Sequence, residues 1–253
     1  MRLAVLFLCA AAAWGAAFES FAHYKVGYGF FDLGEATAVL RIDEGGSYET
    51  QVSAKATGWA AVLSGDRQEH YVSRGVVVEG RLVPAFYEKR VERGRQVRTK
   101  RYRFDHVGRT VVETRISCKK NDCTQSEKEL SGDTYAAEDI LTLYHNITQG
   151  FIRSKEPRMS AAAIGSKKEV EVFLPEGDRL KTARKTFEGE PGTYLVVLLN
   201  QEIFTSDRGE LYINIDSDRV ATKAVLKKTL LLGDVWGELV GKKTKGTFDA
   251  GSY

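Results

Sequence analysis

The side chains best suited to proton transfer or metal binding, the histidines, are scattered along this sequence. The chain has four of them, His23, His70, His106 and His145, and no two lie at the i, i+4 spacing of a helical metal site. A nucleophile elbow, a phosphate-binding loop and a dinucleotide-binding glycine pattern are all missing from the sequence. It therefore indicates no catalytic residue, no metal ligand and no cofactor, and we interpret the histidines as isolated surface or core residues.

Two acidic pairs are the remaining candidates for chemistry. Glu138 and Asp139 are neighbours in a predicted helix, where adjacent side chains diverge by about 100°, so they cannot easily bracket one bond. Asp216 and Asp218 flank one serine and supply too few ligands for calcium. We interpret this second pair as a strand end or a turn.

Two cysteines are placed to form a disulfide. Cys118 and Cys123 flank a polar four-residue stretch, so the two side chains can face each other across a hairpin. An oxidising compartment would allow the bond to form. Half a metal site or two free thiols are the alternatives, although a metal site needs more ligands than this region offers.

The N-terminal residues predict export. One arginine is followed by an uncharged apolar run that contains Cys9 and ends in small residues, so residues 1–17 read as a secretory signal peptide. We therefore expect a periplasmic protein; an uncleaved, anchoring N-terminus is the alternative. No later run is long and apolar enough to predict a transmembrane segment. The net charge of +3 is a weak basic bias that does not indicate a nucleic-acid partner.

A basic segment is the most distinctive charge feature, and its turn residues predict a hairpin that carries cations on both faces. Such a hairpin suits phosphates of lipopolysaccharide, anionic lipid headgroups or an acidic envelope protein. The alternative is a solvated hairpin whose charges prevent edge-to-edge aggregation. Its cationic residues are Lys89, Arg90, Arg93, Arg95, Arg98, Lys100, Arg101 and Arg103.

Five aromatic residues are candidates for an apolar binding surface. If they line the concave face of an incompletely closed barrel, they suit a lipid-like ligand. A filled core that uses the same side chains is the alternative interpretation. These residues are Tyr24, Tyr28, Phe30, Trp59 and Trp236.

The elements that position these side chains are predicted to be mainly β-strands. Apolar and polar residues alternate over short runs, and glycine-containing turns separate the runs. We predict a mainly β fold: an antiparallel curved sheet that forms a barrel, half-barrel or sandwich, with one central helix. We predict that residues 18–241 form a single β-rich domain, whose two halves would be joined near 131–158 by a helix, and that residues 242–253 form a flexible tail.

One helix is predicted at about Tyr135–Ile147, where apolar residues recur at helical spacing. Asp133 or Thr134 is expected to cap it, and Gly150 to end it. A shorter helical turn is expected over Gly58–Leu63. The run Leu180–Phe187 is predicted as one of the strands of the second half.

The chain resembles a known bacterial periplasmic family, the domain of unknown function 3108. The resemblance rests on the opening Tyr24–Tyr28 strand with its Gly34–Ala36 continuation, on the Glu138–Thr142 segment, and on the Ile215–Asp218 strand end that leads into Val220–Ala224. It implies a signal-bearing, β-rich envelope protein, and it supplies no catalytic residues.

These observations favour a non-enzymatic periplasmic protein that binds an amphiphilic or lipid-like ligand, or an outer-envelope partner. A structural scaffold of an envelope complex is the second hypothesis. An enzyme that acts on a glycan or lipid is the third, and it would need ionisable groups that converge in one cleft.

Overall fold

The fold was obtained as a computed structural model, which describes residues 16–120, 122–152, 158–164, 170–198, 209–229 and 233–246. The predicted signal peptide, apart from its last two residues, and Cys9 lie outside the described residues. Within the described ranges no helix is long and apolar enough to span a membrane.

In the part of the chain that the structure describes, fourteen strands form one antiparallel sheet that curves without closing. The mainly β fold class that the alternating pattern predicts is therefore confirmed in its half-barrel or sandwich-like form. The sheet order is β8-β7-β6-β5-β4-β3-β2-β1-β14-β13-β12-β11-β10-β9. The strands are β1 Ala16–Tyr28, β2 Phe31–Asp43, β3 Ser47–Ala56, β4 Gln68–Val78, β5 Arg81–Arg93, β6 Gln96–Asp105, β7 Thr110–Lys119, β8 Asp122–Ser131, β9 Arg158–Ala161, β10 Val170–Phe173, β11 Thr193–Leu198, β12 Glu210–Ile215, β13 Ala221–Thr229 and β14 Gly233–Gly246.

The order of the strands divides the sheet into two wings. Strands β1 to β8 follow one another as a meander and form the first wing, and β9 to β14 form the second wing. The wings join where β1 pairs with β14. Helix α2, Ile140–Asn146, lies in the connection between the two outermost strands, β8 and β9.

The sheet curls around α2, as two clusters of buried side chains show. Leu141 of α2 packs with Tyr87 of β5 in the first wing, whereas Leu143 packs with Leu195 of β11 in the second wing. In the sheet order these two strands are eight positions apart, which would be about 38 Å in a flat sheet. A helix of seven residues is only about 10 Å long, so the sheet must curve for both strands to contact it. We call the face that holds α2 the inner face.

The start of α2 differs from the prediction. The helix begins at Ile140 rather than near Tyr135, and its N-cap is Asp139 rather than Asp133 or Thr134. Asp139 and Thr142 form a reciprocal capping box, which outcompetes the earlier polar residues because it satisfies the first free N–H groups of the helix. Residues Gly132–Thr134 form a separate 3-10 turn, and the chain continues past Gly150 in a π-helical turn, Ile147–Phe151.

The run Leu180–Phe187 is not a strand, so this prediction was wrong. It belongs largely to helix α3, Gly177–Thr186, whose apolar side chains at Leu180, Ala183 and Phe187 follow helical spacing. Ala183 and Phe187 are fully buried against Val196 and Tyr212 of the second wing. Leu195, the neighbour of Val196 in β11, packs on the inner face. Successive side chains of a strand point to opposite faces, so Val196 and the helix α3 that packs on it lie on the outer face of this wing.

Two further predictions concern the ends of the sheet. The helical turn expected at Gly58–Leu63 is present as α1, Gly58–Ser64. The tail expected at 242–253 is partly ordered, because β14 continues to Gly246 and pairs with β1 as far as Phe18. Residues 242–246 are therefore part of the sheet, and residues 247–253 lie outside the described residues.

Candidate ligand-binding face

The five aromatic candidates do not form one lining. Tyr24 lies on the inner face, where it shares a hydrogen bond with Tyr144 of α2. Trp236 instead packs into the outer-face cluster under α3, and its ring covers Gly27. Its Nε1 donates to the carbonyl of Gly29 at 2.9 Å. These two residues therefore serve opposite faces of the sheet.

The other three aromatic candidates lie near the turn between β1 and β2. Tyr28 is the last residue of β1 and is half-buried beside Gly233. Phe30 is fully exposed, and Trp59 of α1 is half-exposed with its ring edge-on to Phe31 at 5.8 Å. The interpretation of all five as one concave lining is therefore wrong, because strand alternation and the position of the turn separate them.

The basic segment lies on the β5–β6 hairpin, and its charges alternate between the two faces. On the outer face, Arg90 pairs with Glu92 at 2.8 Å and Arg101 pairs with Glu88 at 2.6 Å. Arg103 is 3.8 Å from a carboxylate of β8. The outer cations are thus largely neutralised by carboxylates of the same sheet, which is what a solvated sheet surface requires.

The inner-face cations of the hairpin meet another cation from β7. Lys89 is directly opposite Lys100, which in turn is opposite Arg115, so three strands contribute one basic row. Arg98 lies one row further from α2. We call Lys89, Arg98, Lys100 and Arg115 the inner cationic cluster.

Two tyrosines border this cluster on the side of α2. Tyr87 and Tyr102 stack with their ring centres 5.7 Å apart, and both pack under Leu141. Next to them, the Nζ atom of Lys89 is 5.1 Å from the ring centre of Tyr71. Aromatic faces attract cations, so Tyr71 holds the ammonium group of Lys89 over the inner face.

Glu113 is the buried carboxylate of the cluster. It accepts hydrogen bonds from Tyr102 at 3.0 Å and Arg115 at 2.8 Å, and Lys100 lies 3.8 Å away. Burial by itself raises the pKa of this carboxyl, but the hydrogen bonds and the two cations outweigh burial and lower it below its usual value. Glu113 is therefore ionised at neutral pH and offsets part of the local positive charge.

At Lys89, burial outweighs the favourable effect of the nearby carboxylate on the charged form. Burial lowers its pKa, and the neighbouring cations Lys100 and Arg67 lower it further, whereas Glu69 raises it. Neither Lys89 nor Arg98 has a carboxylate within 4.0 Å among the residues that the structure describes. Glu69 already pairs with Arg67 at 2.6 Å, so it compensates the positive charge of this part of the inner face only in part.

The N-terminus of α2 is anchored by a buried polar network. The Asp139 carboxylate accepts hydrogen bonds from the backbone of Leu141 and Thr142 at 2.8 and 3.1 Å, and from the Ser73 hydroxyl at 2.7 Å. The Ser73 hydroxyl also shares a hydrogen bond with Tyr48. Burial raises the pKa of Asp139 to about 6 although these donors lower it.

The C-terminal half of α2 is anchored through Asn146. Its Oδ1 accepts from the backbone N–H of Leu82 at 2.8 Å, and its Nδ2 donates to the Leu82 carbonyl at 3.0 Å. The same Nδ2 donates to Glu138, which also binds Arg81 at 2.8 Å. The pairing of β5 with β6 starts only at Phe86, so the amide of Asn146 replaces a neighbouring strand at Leu82.

This network fixes the helix and does not resemble a reaction centre. His145 of α2 shares a hydrogen bond with Thr50 at 3.0 Å, and its burial lowers its pKa to about 4. The buried Ser73 hydroxyl donates to the Asp139 carboxylate, but in the described residues none of its hydrogen-bond partners is a histidine. The contacts of Glu138 and Asp139 hold the helix in place rather than bracket a bond.

The remaining histidines lie in separate places. His70 shares a hydrogen bond with Ser53 at 2.8 Å in a polar outer-face groove of about 630 Å³ on strands β2 to β5. His23 lies 3.6 Å from a carboxylate of β2, and His106 contacts Tyr135 at 3.0 Å. In the described part of the chain, no three ligand-type side chains gather closely enough to hold a metal ion.

Two further predictions concern the cysteine pair and the second acidic pair. Cys118 and Cys123 are joined by a disulfide across the β7–β8 hairpin, where they are directly opposite each other. Asp216 lies in the turn after β12, accepts from two backbone N–H groups of that turn, and shares Lys242 with Asp218. The acidic pair thus binds a lysine of β14.

Three members of the site were missed at the sequence level, namely Tyr71, Glu113 and Arg115. They lie outside the basic segment and reach it only through strand pairing. The available signal was the position of the hairpin turns, because a turn fixes which residues of two strands are opposite each other.

Comparison with known proteins shows which family the chain belongs to. No curated protein matches the chain significantly. A family model described as "Protein of unknown function (DUF3108)" matches residues 23–240, which include every strand from β2 to β13 and the α-helices found in the described residues. The chain therefore belongs to the DUF3108 family.

Proposed function

We propose that this protein binds an anionic amphiphile on the part of the inner face that α2 leaves uncovered, and that it does so without catalysing a reaction. The observation that carries the proposal is the inner cationic cluster. Cations from three neighbouring strands share one face beside stacked tyrosines, whereas the cations on the opposite face of the same hairpin are paired with carboxylates.

Charge favours an anionic headgroup at this position. Glu113 compensates Lys100 and Arg115, so Lys89 and Arg98 are the cations that a phosphate would contact. A bound anion would relieve the repulsion that Lys89 experiences from its cationic neighbours, and would raise its pKa toward the usual value. Charge-assisted hydrogen bonds of this kind contribute about 1.5–3 kcal/mol each.

Small apolar side chains next to the cluster suit the apolar part of the ligand. Val52 and Ala54 of β3 are directly opposite Tyr71 and Glu69, and Ala36 continues the same row on β2. Val52 also packs against the cluster that contains Leu141 of α2, and Ala36 and Ala54 are half-buried. A strip of short side chains leaves room for an acyl chain beside the cationic headgroup site.

The cellular location belongs to the same proposal. The N-terminal residues predict export to the periplasm, where phosphate-bearing lipids of the envelope are the abundant anionic amphiphiles. The disulfide between Cys118 and Cys123 supports an oxidising compartment. Lipopolysaccharide and glycerophospholipids share the chemistry of phosphate attached to acyl chains, and extraction of the purified protein followed by mass spectrometry distinguishes them.

A matched pair of double variants tests the site. Lys89→Gln with Arg98→Gln removes the two cations of the inner cationic cluster that Glu113 does not bind, and Arg90→Gln with Arg101→Gln removes two outer cations of the same hairpin. Titration with short-chain phosphatidylglycerol, below its micelle concentration, should show about 100-fold weaker binding for the inner pair, because two charge-assisted contacts are lost. The outer pair should change binding less than threefold.

Two results would contradict the proposal. Equal weakening by both double variants would show that only net charge matters. Equal affinity of the wild-type protein for short-chain phosphatidylglycerol and phosphatidylcholine would show that no anionic headgroup is recognised.

A further inference from the structure

A second surface of the molecule lies at the end of the sheet where the turns after β1, β3, β5 and β7 meet. Consecutive turns contact one another there: Thr57 donates to the carbonyl of Leu33 at 3.1 Å, and Gly94 donates to the carbonyl of Gly65 at 2.7 Å. Lys120 then donates to the carbonyl of Arg95 at 3.1 Å. These bonds make one continuous border, which we call the tip end.

The tip end exposes large apolar side chains. Phe30 is 102% exposed, Val62 79% and Leu63 71%, and Phe31 and Trp59 are about half-exposed. We call these five residues the apolar rim. Helix α1 turns only the small Ala60 into the protein and points its larger side chains outward, which reverses the usual pattern of a surface helix. Contiguous exposed apolar residues of this kind mark an interaction surface.

Cations continue the border next to the apolar rim. Four exposed cations lie at the ends of β5 and β7 and in the turns that follow, and we call them the basic tips: Arg93, Arg95, Lys119 and Lys120. None of the four has a carboxylate within 4.0 Å in the described ranges. Gly65 at the end of α1 is close enough to Arg93 that an added Cβ would lie 3.4 Å from its Cγ. Apolar and basic groups are therefore neighbours on one surface.

We propose that the tip end docks on an anionic membrane surface, with the apolar rim inserted among the lipids and the basic tips at the phosphates. Aromatic residues prefer the membrane interface, and each cation near an anionic surface contributes about 1 kcal/mol. The rim consists of separate side chains that project from the β1–β2 turn region and from a helix of seven residues. A fluid lipid layer adapts to such projections, whereas a protein partner would need a matching pocket for each.

This inference goes beyond the proposed ligand binding, because the tip end and the inner cationic cluster share no residue. Docking would also orient the protein, since Arg98 of the cluster lies on the hairpin whose tip carries Arg93, at the end of β5, and Arg95, in the turn. The uncovered inner face would then lie next to the lipids that supply the ligand.

Vesicle flotation with two valine variants tests the docking. The protein without its predicted signal peptide, residues 1–17, should float with vesicles of three parts phosphatidylcholine to one part phosphatidylglycerol, and at least tenfold less with pure phosphatidylcholine. Val62→Asp on the rim should weaken binding to anionic vesicles at least tenfold. Val107→Asp makes the same change at a valine that is 98% exposed in the turn after β6, at the opposite end of the sheet, and should bind like the wild type.

Brominated lipids provide an independent measurement. In protein without residues 1–17, and therefore without Trp14, quenching of tryptophan fluorescence by brominated vesicles should fall in Trp59→Phe, because Trp59 lies in the rim whereas Trp236 packs under α3. Equal binding by Val62→Asp and Val107→Asp, or unchanged quenching in Trp59→Phe, would overturn the docking. The Lys89→Gln, Arg98→Gln protein should still float, so loss of ligand binding and loss of docking remain distinguishable.

Discussion

Replacing Asn146 by alanine is expected to destabilise the protein strongly, because one buried amide stands in for a strand at Leu82. The wild-type side chain satisfies both the N–H and the C=O of Leu82 and donates to Glu138. Leu82 is only 1% exposed, so water cannot replace these bonds. Each buried backbone group left without a partner costs about 1–3 kcal/mol, so two such groups predict a loss of about 2–6 kcal/mol.

The assay is urea unfolding followed by circular dichroism and tryptophan fluorescence. At about 2–4 °C per kcal/mol for a chain of this size, the midpoint of thermal unfolding should fall by roughly 5 to 20 °C. Gln125→Ala, at an exposed position of β8, is the matched control and should stay within about 0.5 kcal/mol of the wild type. A loss below about 1 kcal/mol in Asn146→Ala would refute the view that this amide anchors α2 to the sheet.

Three further outcomes are expected. Because burial lowers the pKa of His145 to about 4, the unfolded chain binds a proton before the folded one, so the wild type loses stability as pH falls from 6.5 to 4. Over this pH window His145→Gln should lose less stability than the wild type, as measured by urea titrations. Asp139, whose pKa is raised to about 6, makes the opposite contribution, but it is present in both proteins and should largely cancel in the comparison. Parallel curves of stability against pH for the two proteins would contradict the assignment. Replacing both Cys118 and Cys123 by serine should cost about 2 kcal/mol at most, because the closed loop is short, and should speed hydrogen exchange mainly in β7 and β8; faster exchange throughout the sheet would argue against a local role. Phe187→Ala should cost about 3–5 kcal/mol in urea unfolding and Phe187→Leu much less, since the ring is fully buried under α3; equal losses would exclude a packing effect.

Local patterns predicted most elements of the fold because they depend on neighbouring residues. The alternation at Ala36–Ile42 specifies a strand, and β2 covers it, with Leu40 and Ile42 buried on either side of the exposed Arg41. Helix α3 was missed although Leu180, Ala183 and Phe187 follow helical spacing, because the run is short and bounded by turn residues like the surrounding strands. The start of α2 was misplaced because several polar residues compete as caps, and only the Asp139–Thr142 box is completed in the folded chain.

The candidate site was only partly predictable from the sequence. The basic hairpin was evident as a run of cations, but a run does not show which charges carboxylates neutralise. Glu88 and Glu92 belong to the same hairpin and pair with its outer cations. The five aromatic candidates were grouped by residue type alone, and Phe30 and Trp236 show that type does not determine the face or even the burial of a side chain.

The sequence by itself determined that this chain forms antiparallel strands and that Cys118 and Cys123 can meet across a hairpin, because both properties follow from the order of nearby residues. Only the tertiary structure decided that Lys89, Lys100 and Arg115 form one row, and that Asn146 completes β5. The physical reason is that these contacts depend on strand register and on the curvature that brings two distant wings around one short helix. Neither quantity is fixed by any single segment of the chain.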